Sequence, residues 1–212
     1  MKKIDGAIFD LDGTLLDSMH IWNNFAEKYL IKNGAIPTKE LGEKVKVMSL
    51  YQSACYFIDE YGLNKSVEEI MEEVNDMTEH FYTDEVLPKK GVIEFLESLK
   101  SSGTKMCIAT ATDKHLVTAA LERNNMLHYF DEIFTCTLVG HGKDEPHIYN
   151  AALDFLKTEK QNTWVFEDAL YAAATAKKAG FNVAAVFDKY ESEQTELKKT
   201  ADIYIKSYDE LI

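Results

Sequence analysis

Ala7-Ile8-Phe9-Asp10-Leu11-Asp12-Gly13-Thr14-Leu15-Leu16 begins as an apolar run the length of one buried strand and ends it with two aspartates and a glycine. A strand that stops this way places Asp10 at its carboxyl edge, where open α/β sheets hold their ligands. Asp12, two residues on, leans back over the same edge, and Gly13 lets the backbone turn sharply. Two carboxylates about 4 Å apart, at an effective dielectric of roughly 20, repel by about 4 kcal/mol. A cation between them, or a proton on one, relieves the repulsion, and either outcome points to chemistry. A calcium loop does not fit, because apolar Leu15 and Leu16 stand where oxygen ligands would continue.

The chain around this stretch has 212 residues, 46% apolar and 28% charged, the balance of a soluble globule with a sizeable core. Its formal net charge of −13 argues against nucleic acid as a partner but leaves room for a small phosphorylated substrate in a local positive pocket. No run approaches the ~20 apolar residues of a membrane span, so no membrane partner is expected. Met1-Lys2-Lys3 leads into a short charged strand rather than a signal peptide, and Cys55, Cys107 and Cys136 make neither a metal spacing nor a disulfide framework. The expectation is a cytoplasmic monomer.

After the opening strand the pattern turns helical. Met19, Trp22, Phe25, Ala26, Tyr29 and Leu30 recur at three and four, up to Gly34 with Pro37 beyond. Ser53 to Tyr61 reads as a second helix ended by Gly62. Ser66 and Glu69 form a capping box ahead of the stripe Val67, Ile70, Met71, Val74, Met77 and Phe81. From Leu87-Pro88 the rhythm becomes alternating helix and strand. Strands are read at Met106 to Ala109, Ile133 to Thr135, Trp164 to Phe166, Val183 to Phe187 and Ile203 to Ile205. Unbroken apolar strands alternating with helices imply a parallel sheet covered on both faces. The fold class is therefore α/β, a Rossmann-like doubly wound parallel sheet with an inserted all-helical cap. The core domain comprises 1–16 and 88–212; the cap, 17–87, sits as a lid over Asp10.

Three further features fall at carboxyl ends of expected strands. Thr110-Ala111-Thr112 offers hydroxyls and free N–H groups for a phosphate ahead of the next helix, although hydroxyl residues there also serve as ordinary caps. Lys143 lies in the loop Gly140-His141-Gly142-Lys143 before Pro146, which suits a helix start. Trp164-Val165-Phe166-Glu167-Asp168 repeats the opening device, and burying acids at a strand end is costly without a cation. Oxygen ligands point to magnesium, which accompanies phosphates. The six histidines, His20, His80, His115, His128, His141 and His147, show no ligand spacing and are read as surface or helix-end residues.

Together, Asp10-Leu11-Asp12-Gly13-Thr14, Thr110 after an apolar strand, Gly142-Lys143 before Pro146-His147-Ile148-Tyr149, and Phe166-Glu167-Asp168 leading to Lys178-Ala179-Gly180 resemble the haloacid dehalogenase superfamily, in its β-phosphoglucomutase-like phosphatase branch. The resemblance spans essentially the whole chain. It implies that Asp10 is the nucleophile, forming an aspartyl phosphate, and that Asp12 is the acid and then the base. It implies that Thr110, Ala111 and Lys143 bind the phosphoryl oxygens, and that Mg2+ is held by Asp10, Asp12, Asp168 and Glu167. The implied activity is a Mg2+-dependent phosphatase acting on a small phosphorylated metabolite such as a sugar phosphate. Trp22 on the first cap helix and Gln52, read in a loop before the next helix, are expected to face the leaving alcohol, with hinges near Leu16-Asp17-Ser18 and Val86-Leu87-Pro88.

The chain departs from the family pattern at two places. Lys143-Asp144-Glu145-Pro146-His147 replaces Lys-Pro-x-Pro-Asp, and Ala169 and Ala172 replace a serine and a glycine. A phosphosugar mutase is an alternative. Mutases of this branch carry a histidine where this chain has Trp22 and an arginine in the cap loop, but Met48-Ser49-Leu50-Tyr51-Gln52 contains none. A protein that binds phosphate ligands without turnover is a second alternative.

Overall fold

The computed structural model describes residues 4–212. Six strands, β1 (Gly6–Phe9), β2 (Lys105–Thr110), β3 (Glu132–Thr135), β4 (Thr163–Glu167), β5 (Asn182–Val186) and β6 (Ile203–Ile205), form one sheet in the order β3-β2-β1-β4-β5-β6. Every neighbouring pair is parallel. The doubly wound parallel sheet expected from the sequence is therefore present. Chain order reverses on the two sides of β1, so the carboxyl ends of β1 and β4 flank the topological switch point, where such sheets open a crevice.

Between β1 and β2 come α1 (Met19–Trp22), α2 (Phe25–Lys32), α3 (Leu41–Val45), α4 (Leu50–Tyr61) and α5 (Val67–His80), the last running into a π-helical turn at Phe81–Glu85. The remaining helices are α6 (Val92–Ser101), α7 (Lys114–Arg123), α8 (Cys136–Val139), α9 (His147–Leu156), α10 (Leu170–Lys178) and α11 (Gln194–Thr200). Side chains alternate across the sheet. Ala7, Phe9, Met106, Ile108 and Phe166 point to a layer with α6 and α7, while Ile8, Cys107, Ala109 and Val165 point to one with α9 and α10. Strands buried on both faces need continuous apolar runs, which is why Ala7-Ile8-Phe9 shows no polar alternation. Phe9 stacks on Phe166 of the neighbouring strand at 4.4 Å between ring centres, a contact that sets β1 against β4 just below the site.

The helices between β1 and β2 carry a hydrophobic cluster of their own, centred on Tyr29, Leu30, Phe57, Ile70 and Val74. The chain leaves and re-enters the sheet layer side by side. Leu16 forms an antiparallel bridge with Pro88, Asp17 N–H donates to Leu87 O at 3.0 Å, and Lys89 N–H donates to Leu15 O at 2.8 Å.

Two sequence expectations are corrected here. The stripe from Met19 to Leu30 is two helices, because Asn24 adopts the left-handed conformation (φ 58°), which asparagine tolerates better than other side chains. The stretch Ser49 to Gln52 is a helix start, not a loop. Ser49 accepts the Gln52 N–H at 3.2 Å while Gln52 Oε1 accepts the Ser49 N–H at 2.7 Å. This is a complete capping box, the same device correctly read at Ser66 and Glu69.

Candidate active site

Asp10 follows β1 directly and its N–H donates to Phe166 O at 3.0 Å, extending the ladder by one residue. Its carboxylate thus projects at the crevice mouth while staying 7% exposed. Across the switch point, β4 ends in Glu167 and Asp168, both buried. Gly13 (φ +76°) closes the turn after Asp12, and a Cβ there would collide with the Asp168 carboxylate, so glycine is required by both conformation and space. Thr14 Oγ1 donates to Asp168 Oδ1 at 3.0 Å, tying the opening turn to the end of β4.

Lys143 reaches in from the loop between α8 and α9. Its Nζ lies 2.5 Å from Asp10 Oδ1 and 2.7 Å from Glu167 Oε1, and the residue is 3% exposed. Tyr149 Oη donates to the same Glu167 oxygen at 2.8 Å. The acids flanking Lys143 in sequence, Asp144 and Glu145, are exposed, so its partners are the carboxylates of the sheet edge.

Asp12 is caged by hydroxyls. Its Oδ1 accepts from Ser18 Oγ at 2.6 Å and Tyr82 Oη at 2.7 Å, and its Oδ2 from Thr112 Oγ1 at 2.6 Å. Trp22 Nε1 donates in turn to Tyr82 Oη at 3.0 Å, and its indole packs on Phe25. Trp22 is therefore linked to Asp12 through Tyr82. Thr110, at the end of β2, accepts the Thr112 N–H at 3.2 Å and is followed by half-buried Ala111. Gln52 is exposed, and its Oε1 and the Val47 carbonyl each lie 3.0 Å from where a Cβ on Gly142 would stand. The segment bearing Gln52 thus presses against the Lys143 loop, and glycine permits the close approach.

The electrostatics follow from the Lys143 ammonium among four buried carboxylates, with the Lys89 ammonium, paired to buried Asp188 at 2.8 Å, acting on Asp168 from beyond. Burial pushes the Asp10 carboxyl up to about 6, with Glu167 adding to it and Lys143 opposing it. Asp12 is raised by burial and by Asp10, and partly restored by its three hydroxyl donors. Asp168 is driven well above the usual carboxylate range by burial, then by Asp10 and Glu167. Burial disfavours the Lys143 charge, but Asp10 and Glu167 overcome it and hold the ammonium protonated well above its ordinary range. Burial together with Asp12 keeps Tyr82 a protonated donor, and burial with Glu167 does the same for Tyr149.

Asp10, Glu167 and Asp168 each place an oxygen within 4.8 Å of the others, all buried. A dry, oxygen-only donor set with surplus negative charge fits a hard divalent cation of the magnesium class. Sequence reasoning missed Ser18, Tyr82, Tyr149 and the role of Thr112 on Asp12. Thr112 was in view beside Thr110. Tyr82, 70 residues from Asp12, left no local signal.

A parallel sheet whose switch point gathers an aspartate pair, a lysine and a second acidic strand end defines a class of α/β hydrolytic enzyme. The family model described as haloacid dehalogenase-like hydrolase matches residues 7–186, and the chain belongs to that family. Among curated relatives, the phosphorylated carbohydrates phosphatase of Thermotoga maritima is 25% identical over 84% of this chain and 82% of its own length. The validoxylamine A 7'-phosphate phosphatase of Streptomyces hygroscopicus subsp. limoneus is 26% identical over 97% of this chain and 94% of its own. Among solved structures, CbbY from Rhodobacter sphaeroides in complex with phosphate superposes with a TM-score of 0.83 at 21% identity, covering 98% of this chain and 96% of that one.

Proposed function

We propose that this protein is a Mg2+-dependent phosphatase of small phosphorylated carbohydrates, working through an aspartyl phosphate on Asp10. The observation that carries the reading is the contact of Lys143 with both Asp10 and Glu167 in a buried pocket that also holds Asp168. The relatives named as carbohydrate-phosphate and validoxylamine-phosphate phosphatases support the substrate class.

In this reading an Asp10 carboxylate oxygen attacks phosphorus in line with the ester oxygen. The P–O bond to the alcohol breaks, and Asp12 gives its proton to the departing oxygen. Water then attacks the phosphoryl group as Asp12 takes one of its protons, releasing inorganic phosphate and restoring Asp10. The raised Asp12 carboxyl favours the protonated form that the first step needs. Lys143 and Thr110, with the N–H groups after β2, neutralise and orient the phosphoryl oxygens. Asp10, Asp168 and Glu167, with the Asp12 backbone, would hold Mg2+, which supplies charge neutralisation for the phosphoryl group.

Residues 17–87 act as the cap over this crevice. The supporting contacts are Ser18 and Tyr82 on Asp12, the 47–52 stretch against Gly142, and the Lys46–Glu191 ion pair at 3.0 Å. Specificity for the leaving alcohol resides on the cap near Trp22 and Gln52.

The test is phosphate release from p-nitrophenyl phosphate and a panel of sugar phosphates with Mg2+. The expected result is turnover that vanishes in Asp10→Asn and in EDTA. Activity surviving either treatment overturns the reading, and transfer of phosphate to a second hydroxyl in place of release would make the protein a mutase.

A further inference from the structure

The six histidines are exposed, as expected of surface or helix-end residues, and the fold brings two of them together at one loop. The loop carrying Lys143 folds back so that His141 Nδ1 lies 2.8 Å from Glu145 Oε2 and His147 Nε2 lies 3.4 Å from that same oxygen. The two imidazoles stack, with ring centres 3.9 Å apart and planes inclined by 27°. All three side chains are about half exposed, open to an ion from solvent, and their ligand atoms fall within 4.8 Å of one another. One carboxylate oxygen thus stands within reach of a nitrogen from each ring, and every neutral imidazole has one nitrogen lone pair that a Lewis acid can collect.

We infer that His141, Glu145 and His147 form a surface site for a borderline transition-metal ion of the Zn2+ class, clamping the loop that carries Lys143. Two imidazoles and a carboxylate are the ligand chemistry of Zn2+ rather than Mg2+, and three protein ligands leave a position for water. The spacing, four residues and then two, comes from one tight turn stiffened by Pro146, so the three donors are gathered before any ion arrives. His147 also stands where the family's lysine motif carries an aspartate, and Glu145 at its unrestricted position. The site encloses Lys143 in the chelate between residues 141 and 145, yet uses none of the buried carboxylates.

The experiment titrates the full chain with Zn2+ by calorimetry, and with Co2+ by visible absorption, under saturating Mg2+ and in an Asp168→Asn background that disables the buried cluster. One ion should bind, with the visible bands of nitrogen-ligated Co2+, and raise the melting temperature. His147→Ala and His141→Ala should each weaken binding by roughly tenfold or more and erase the bands and the thermal gain, while circular dichroism stays that of the parent. Zn2+ affinity unchanged in both variants, or no binding at all in the Asp168→Asn background, overturns the site. The readouts are independent of phosphatase activity, so they hold or fail apart from the proposed function.

Discussion

Asp12 shows how much a single carboxylate depends on its neighbours. A charged acceptor holding three hydroxyls is favoured in its ionised form, against the burial that disfavours it. Tyr82→Phe removes one donor to the charged form and should raise the Asp12 carboxyl further. In the proposed mechanism Asp12 is protonated when the ester breaks, so the alkaline limb of the kcat/KM profile should move up in pH, and an unmoved limb refutes the role. Asp10 behaves differently in metal-free protein. Its carboxyl stands near 6 in the fold against an ordinary 3.8. That raised value contributes stability below about pH 4 and loses it as pH rises through about 6. Against Asp10→Asn, which has no carboxyl to ionise there, the parent should therefore lose stability in EDTA between about pH 4 and pH 7. Thermal unfolding at the two pH values checks this.

At the scale of elements, the turn after β1 tolerates nothing larger than glycine. Gly13→Ala meets both a left-handed φ and the Asp168 carboxylate, and should cost more than about 2 kcal/mol and abolish turnover. Ser49→Ala breaks one half of the α4 capping box and should cost about 1 kcal/mol by urea denaturation, with little change in kcat. These elements also show what the sequence made legible. Ala7-Ile8-Phe9 announced a two-faced strand because burial on both sides demands an unbroken apolar run, and Ile203 to Ile205 was bounded to the residue. The break at Asn24 was hidden, since a helical stripe persists through a single left-handed residue when packing restores the face. The capping box at Ser49 does have a local signal, a serine followed three residues on by a glutamine. Tyr82 on Asp12 and His141 beside His147 come from chain reversals that no local period encodes.

At the scale of the whole molecule, one tie between the helical layer and the sheet layer is the ion pair of Lys46 with Glu191. Glu191 is 5% exposed and accepts from Lys46 and from the N–H groups of Leu170 and Glu193. Glu191→Gln should lower stability by roughly 1–2 kcal/mol, because buried donors lose a charged acceptor. Lys46→Gln should lower it by less than about 1 kcal/mol, as the half-exposed partner of the pair. Urea midpoints of the two variants against the parent decide the order. The side-by-side passage of Leu16 and Pro88 has a consequence for how the chain comes to fold. β1 must find β2 across roughly a hundred residues, a closure whose entropy grows with the logarithm of the span. If the intervening helices condense first around their own cluster, their two ends come into register before the strands meet. The effective span then shrinks to about a quarter, which lowers the closure penalty by about 1 kcal/mol. An insertion that condenses in this way would work as a splint, and β1 should then reach β2 sooner than across an unstructured loop of the same length.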